Sequence, residues 1–486
     1  MPARDRLTAL DSAFLHLEAG GAHMHVASIL LFDGDPPEYE DLVDAISARL
    51  HLVPRYRQRL AFVPLQQGRP VWVDDPHFNL GYHVRHTALP APGSDAELKR
   101  LAGRVFAQPL DRAKPLWEIW LVEGLAEGRF ALLAKTHHAL VDGVSGVDIV
   151  SVLFETTRDP VAPAPPARDW LPEPPPSGAQ LLADAVLERT VVPREALRGL
   201  RHLTRGPRQA LGDAVEKLAA VGAMAWAGVN GAPDSPLNVP IGPHRRYTWV
   251  DADVATFKAI KDALAGTLND VVLAAVSLAL GRWLRGRGHD TEGLVLKAMV
   301  PVSVRADTQR GALGNRVSAM YAPLPVGIED PRETYETVHR AMGDLKASGQ
   351  AVAASTLTQL ADFAPPTILS QAARLQARQR FFNLVVTNVP GPQNELYLLG
   401  RPLCAFYPVV PLARNQALGI AIMSYHGRLG FGLLADFDAV PDVEAIGAAL
   451  RGAIADLARA AGVRPGGAAG DRSGRTGARK RPRAAV

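Results

Sequence analysis

Apolar residues recur at helical spacing through 39–50, at Leu42, Ile46 and Leu50. That period predicts an amphipathic helix with one face on a core. Shorter apolar runs at 70–73 and 130–134 read as strands. Residues 143–154, apolar at Val147, Val150, Val152 and Phe154, read as a helix. The pattern then stops: 160–176 holds eight prolines in seventeen positions. Such density neither continues a helix nor fills a central strand, and it predicts an extended linker. Residues 180–229 are expected to be mainly helical, with breaks near Pro193 and Pro207. In that stretch Arg194, Arg198, Arg201 and Arg205 share one face and Leu197, Leu200 and Leu203 another. The expectation is a helix packed on the body, with a membrane-surface helix as the alternative. Further on, strands are expected at 247–250, 294–300, 381–387, 418–425 and 429–435, the last two a hairpin hinged at Gly427. Helices are expected at 254–265, at 269–284 with Asn269 as its cap, and at 443–457. Strands and helices mix in both halves, so the fold class is α/β or α+β.

Length changes this picture by requiring more than one core, because 486 residues exceed what a single ordinary core organises. The expected division is 1–158, a proline-rich and helical connector at 159–245, a second domain at 246–462, and a tail at 463–486. The net charge of +4 misleads. Residues 464–486 carry seven Lys or Arg and one Asp, a net of +6, which leaves the rest at −2. A near-neutral body gives no footprint for nucleic acid. The tail cannot bury a core and is expected to be disordered, either as a solubilising segment or as a contact for anionic lipid. A single cysteine excludes an internal disulfide framework and fits a reducing compartment. The first residues, MPARDRLTAL, show no apolar signal region, and no stretch reaches the roughly 20 apolar residues of a membrane span. Membrane contact is therefore expected to be peripheral.

The strongest chemical signal is Lys135-Thr136-His137-His138-Ala139-Leu140-Val141-Asp142-Gly143. Two histidines close the apolar run 130–134, and histidine is the side chain best suited to take and return a proton near neutrality. Side chains alternate along an extended segment, so His137 and His138 point to opposite faces. One of them faces a reaction channel while the other packs. A metal site is a poor reading, because adjacent histidines diverge and neither HExxH nor CxxC spacing occurs. Gly143-Val144-Ser145-Gly146-Val147 approaches a nucleophile elbow, but its last glycine comes one position early. Cys404 sits among apolar neighbours, the setting of an inert thiol. Neither a phosphate loop nor a dinucleotide fingerprint is present.

HHALVDG resembles the HHxxxDG signature of the coenzyme-A-dependent acyltransferases. Further segments narrow the resemblance to the bacterial wax ester synthase / diacylglycerol acyltransferase family. They are Leu10-Asp11-Ser12-Ala13-Phe14-Leu15 with Glu18, Pro115-Leu116-Trp117-Glu118, Pro236-Leu237-Asn238 through Arg246, and Asn269-Asp270-Val271-Val272-Leu273. Pro301-Val302-Ser303-Val304-Arg305, Gly314-Asn315-Arg316 and Thr387-Asn388-Val389-Pro390-Gly391-Pro392 complete the series. One departure lies at 78–83, where the family often carries acidic residues.

The resemblance implies two chloramphenicol-acetyltransferase-like domains around a central tunnel, and transfer of an acyl group from acyl-CoA to diacylglycerol or a long-chain alcohol. It implies that His138 is the general base, with His137, Asp142 as orienting residue and Gly143 in the same catalytic set. Arg305 is the candidate partner of Asp142. Asn269 is a candidate oxyanion or substrate donor, with helix capping as the alternative, and Asp270 is a candidate substrate-binding or structural residue. Trp117 is either a tunnel wall or core, and Thr387 and Asn388 either channel wall or a strand-ending turn. Acyl-CoA is a substrate here; no cofactor and no metal are expected. The expected location is cytoplasmic, peripheral to the inner face of the plasma membrane or to lipid droplets. Two other readings fit less well: an acyltransferase esterifying a polyketide alcohol or using a carrier-protein thioester, and an inactive lipid-droplet-coating or lipid-binding protein.

Overall fold

The computed structural model describes residues 5–18, 20–141, 149–159, 163–166, 168–187, 231–303, 317–347 and 381–464. Asp142, Gly143 and Arg305 lie outside these residues. So do the arginine face at 194–205, the breaks near Pro193 and Pro207, and almost all of the tail. Among the described residues the strands are β1 (His25–Asp33), β2 (Gln58–Ala61), β3 (Val71–Asp74), β4 (Val84–Ala88), β5 (Trp117–Leu125), β6 (Arg129–His137) and β7 (Arg245–Asp253). They continue as β8 (Leu296–Ser303), β9 (Val317–Leu324), β10 (Leu384–Pro390), β11 (Tyr397–Leu398), β12 (Arg401–Val409), β13 (Leu418–Tyr425) and β14 (Arg428–Asp436).

The strands form two six-stranded sheets and one two-stranded ribbon. The first sheet runs β11-β12-β1-β6-β5-β4 and the second β7-β14-β13-β10-β8-β9. Each mixes directions. β4 and β5 are parallel in the first sheet, and β10 is parallel to both β8 and β13 in the second. The class is therefore mixed α/β. The expected hairpin at Gly427 is present, with φ +80° at that glycine and Tyr425 opposite Arg428.

One connection departs from a division into consecutive domains. β12 belongs to the stretch assigned to the second domain, yet it pairs with β1, with Ala27 opposite Val409 and Leu31 opposite Ala405. The chain then returns to the second sheet as β13. Where β12 passes β14, Gly430 and Gly432 make room. A Cβ on Gly432 would stand 1.8 Å from the Pro408 carbonyl oxygen, and one on Gly430 2.1 Å from that of Phe406. The Gly-Phe-Gly alternation of β14 thus lets the sheets approach backbone to backbone.

The helix Leu268–Gly286 is the centre of the larger core, with Val271–Leu280 almost wholly buried. Its N-cap is Thr267, not Asn269. Thr267 Oγ1 accepts the Asp270 N–H at 3.2 Å, and Asp270 accepts the Thr267 N–H at 2.9 Å. This reciprocal box satisfies two donors that an Asn269 cap would leave exposed. No single described helix is long and apolar enough to cross a membrane. Val254–Ala263 and Leu268–Gly286 qualify by length and composition only as a pair bent by 99°, and the second of them is buried in protein.

β6 separates two apolar layers by simple alternation. Ala131 and Leu133 pack into the larger core, and Phe130, Leu132 and Ala134 into the core of the first half. This places Lys135 and His137 on the side of the larger core, at the end of the strand.

Candidate active site

His137 ends β6 and His138 opens the short helix His138–Val141. The change from strand to helix separates the two rings. His137 is 1% exposed, whereas His138 is half-buried. His137 Nδ1 accepts the Ala139 N–H at 3.1 Å, which leaves its proton on Nε2. Nε2 in turn lies 3.2 Å from Glu18 Oε1, a close off-axis contact.

Glu18 is the C-cap residue of the helix Ala9–Leu17. Phe14 stands one turn earlier on the same face, and its ring stacks on His138 with centroids 4.0 Å apart. One helix thus holds both histidines, His138 through Phe14 and His137 through Glu18. Met24 ties the two contacts together. Its N–H donates to Glu18 Oε1 at 2.9 Å, and its carbonyl accepts the His138 N–H at 2.8 Å. The Arg112 guanidinium also donates to Glu18 and to the Leu15 carbonyl. Burial disfavours the Glu18 carboxylate. The contacts of His137, Arg112 and Met24 outweigh it and hold Glu18 well below the usual carboxylate range.

More basic groups surround this carboxylate. His25 pairs with His137 across β1 and β6, and its Nε2 lies 3.7 Å from Glu18 Oε1. Burial first, and the nearby Lys135 charge second, push His25 well below its ordinary value, so its ring is neutral at neutral pH. His23 stacks on His25 at 5.4 Å and is also lowered by burial. Lys135 is fully buried. Its Nζ donates to the carbonyls of Val105 and Gln108 at 3.2 and 3.1 Å and lies 3.3 Å from Glu118 Oε2. Burial lowers its pKa, and Glu118 opposes that shift.

A second junction closes the site from the other half. The Arg245 guanidinium donates to the carbonyls of Gly242 and His244 at 2.7 and 2.8 Å and to that of Gly21. It also pairs with Asp436 at 3.6 Å. Gly21 has φ +88°, and a Cβ there would stand 2.6 Å from the Gly242 carbonyl oxygen. The loop before β1 is therefore pressed against the segment that opens β7.

The other singled-out residues lie elsewhere. Trp117 is wholly buried, donates to the Tyr56 carbonyl at 2.8 Å and stacks on His83 at 4.6 Å. It is core. The 78–83 segment that departs from the family pattern supplies this stacking partner. Asp270 is buried and lies 2.8 Å from His339 Nδ1, while Asn269 is half-buried beside it. The contacts described for Asp270 run to Thr267 and His339 rather than to the histidine pair. Thr387 and Asn388 sit within β10, opposite Ala421 and Ile422 of β13. They are strand residues, not a strand-ending turn. Among the described residues no group of three or more His, Cys, Asp or Glu is placed to hold a metal ion.

Glu18, His25, Arg112, Lys135 and Arg245 carry no assigned role in the sequence reading. Two local signals pointed to some of them. Phe14 and Glu18 have the four-residue spacing of one helix face, and His23 and His25 have the two-residue spacing of one strand face.

Comparison with known proteins supplies the family. Residues 7–272 match the wax ester synthase/diacylglycerol acyltransferase catalytic domain, and residues 313–458 match the WS/DGAT C-terminal domain. The chain is 34% identical over 459 residues to the probable diacylglycerol O-acyltransferase tgs1 of Mycobacterium tuberculosis, covering 93% of this chain and 96% of that one. The wax ester synthase/diacylglycerol acyltransferase of Marinobacter aquaeolei VT8 superposes with a TM-score of 0.65 at 28% identity, covering 94% of this chain and all of that one. The first condensation domain of the calcium-dependent antibiotic synthetase shares the fold, with a TM-score of 0.56 at 17% identity over 96% of this chain and 97% of that domain. With its ordered motifs, its two mixed sheets and matches along nearly its whole length, the chain belongs to the wax ester synthase/diacylglycerol acyltransferase family.

Proposed function

We propose that this O-acyltransferase moves a long-chain acyl group from acyl-CoA to the free hydroxyl of diacylglycerol, making triacylglycerol. Long-chain alcohols serve as second acceptors and give wax esters. The observation that carries the assignment of the base is the unequal treatment of the two histidines. His137 is buried, with Nδ1 accepting the Ala139 N–H and Nε2 facing Glu18 Oε1 at 3.2 Å, whereas His138 is only half-buried. His138 is therefore the base. It takes the acceptor proton as the oxygen attacks the thioester carbonyl. The C–S bond of the tetrahedral intermediate then breaks, and the proton passes from His138 to the coenzyme A sulfur. No covalent acyl-enzyme is needed. Asp142, expected as the orienting residue with Arg305 as its partner, lies with Arg305 outside the described residues.

The reaction takes place at a lipid surface, because the acceptor is insoluble in water. Attachment is peripheral, to the inner face of the membrane or to lipid droplets. Labelled palmitoyl-CoA given to purified protein with diacylglycerol, hexadecanol or no acceptor tests the reading. Labelled triacylglycerol and wax ester are expected only with the matching acceptor. Release of free palmitate alone in all three mixtures would overturn it.

A further inference from the structure

The chain crosses from the first sheet to the second through residues 410–417. β12 ends at Val409, which lies opposite Ala27. Two residues before Ala27 is His25, the partner of His137 across β1 and β6. The crossover therefore begins beside the histidine end of the first sheet. Its backbone is held tightly. The Ile241 N–H donates to the Arg414 carbonyl at 3.2 Å, the Asn238 amide to that of Asn415 at 3.3 Å, and the Ala417 N–H to that of Leu237 at 2.8 Å. Two of its side chains are not used in this way. Arg414 is exposed, and among the described residues its guanidinium has neither a hydrogen bond nor an ion pair. Gln416 is 7% exposed, and its Oε1 is a buried acceptor without a donor among the described residues. Buried acceptors are rarely left unpaired, so this one calls for a donor from solvent or ligand.

The position of Arg414 gives its charge a use. Its Nε stands 3.9 Å from where a Cβ on Gly20 would be, and Gly20 lies in the loop that leads to Met24. Gly20 and Met24 are four residues apart, at most roughly 15 Å along the chain. The Met24 carbonyl accepts the N–H of His138, the proposed base. The other cations at this end of the sheet are engaged inside the protein: Arg112 with Glu18, Lys135 with Glu118, and Arg245 with Asp436. The remaining acid of the seam, Asp438, stands beside Gly242 and forms no ion pair with Arg414. Of the molecules in the proposed reaction, diacylglycerol and long-chain alcohols are neutral, and only the coenzyme A thioester is anionic. Its phosphates are separated from the sulfur by the pantetheine arm, about as long as four to five extended residues, or roughly 15 Å. A planar guanidinium suits a phosphate, which it meets with two parallel N–H donors.

We infer that Arg414, on the crossover between the sheets, holds the phosphate groups of the coenzyme A donor. The inference deepens the proposed transfer reaction and rests on acyl-CoA being its donor, but its test needs no turnover. Coenzyme A and dephospho-coenzyme A are each titrated by calorimetry into full-length protein, without acceptor. Arg414→Gln is expected to weaken coenzyme A binding about tenfold or more, the loss of one charge-assisted contact, at an unchanged melting temperature. Arg414→Lys should recover part of the affinity, because it restores the charge without the planar fork. A loss confined to coenzyme A places its 3′-phosphate on Arg414, and a loss shared with dephospho-coenzyme A places the diphosphate there. Steady-state kinetics give a second readout. In Arg414→Gln, KM should rise for palmitoyl-CoA and hold for S-palmitoylpantetheine, which has the thioester and no phosphate. Wild type that fails to bind coenzyme A, or Arg414→Gln that binds it as tightly as wild type, would overturn the inference. So would equal rises in both KM values, or a lowered melting temperature that makes Arg414 a structural residue. Absence of triacylglycerol from a protein that still binds coenzyme A through Arg414 would count against the transfer reaction and leave this inference standing.

Discussion

Glu18 Oε1 lies 3.2 Å from Nε2 of His137, the buried neighbour of the proposed base. A carboxylate that holds its charge inside protein fixes the tautomer and orientation of the ring it faces. Here that ring immediately precedes His138, and the Met24 backbone links Glu18 to His138 directly. Glu18→Gln is therefore expected to lower kcat about 10- to 100-fold with less effect on KM, as loss of orientation does. Turnover measured across acceptor concentrations checks this.

The depressed pKa of Glu18 has a definite sign in stability. A carboxylate lowered by folding contributes stability above its unfolded value near 4.5 and loses that contribution as pH falls toward the folded value. Wild type is expected to melt higher than Glu18→Gln at pH 7, and the gap should close as pH falls below about 4. A gap that stays constant with pH, read by circular dichroism, would show that Glu18 carries no such linkage.

His138→Ala is expected to lose about 10²- to 10⁴-fold in turnover with little change in melting temperature, the loss typical of a removed general base. His137→Ala should do the reverse in part. It takes a partner from Glu18 and an acceptor from the Ala139 N–H, so stability falls first. Equal losses of rate in two equally stable variants would contradict the division of roles.

Lys135→Met should cost about 3–5 kcal/mol by leaving Glu118 buried with fewer partners. Adding Glu118→Gln should restore much of it, a non-additivity that chemical denaturation of the single and double variants measures. Cys404 makes the simplest prediction. Burial pushes its thiol up to about 12, and Sγ donates to the Leu31 carbonyl at 3.2 Å. Iodoacetamide at pH 8 should leave native protein unlabelled and label it only after unfolding.

Strand 418–425 was legible to the residue, because its apolar run and the following Gly427 turn are local signals. The histidine pair was legible for the same reason. The capping of Leu268–Gly286 was misread at Asn269, although Thr267 and Asp270 carry the box spacing three residues apart. Central strands β1 and β5 and the long helices Asp95–Ala107 and Pro331–Ala347 were not anticipated, the strands being buried on both faces and so lacking clean alternation. The ring of basic groups around Glu18 was illegible for a deeper reason. Arg112 and His137 reach it through strand pairing and helix docking over about a hundred residues of chain, and no sequence window contains them together.

The pairing of β12 with β1 has a consequence for how this protein is made. β1 leaves the ribosome early, and its partner follows some 370 residues later. Until then the sheet that carries the histidine pair has an open edge along β1, with unpaired backbone groups that recruit any passing strand. Folding of the first half cannot finish during its own synthesis. A chain truncated before Arg401 is therefore expected to aggregate rather than yield a free-standing first half, even though it contains the whole histidine motif.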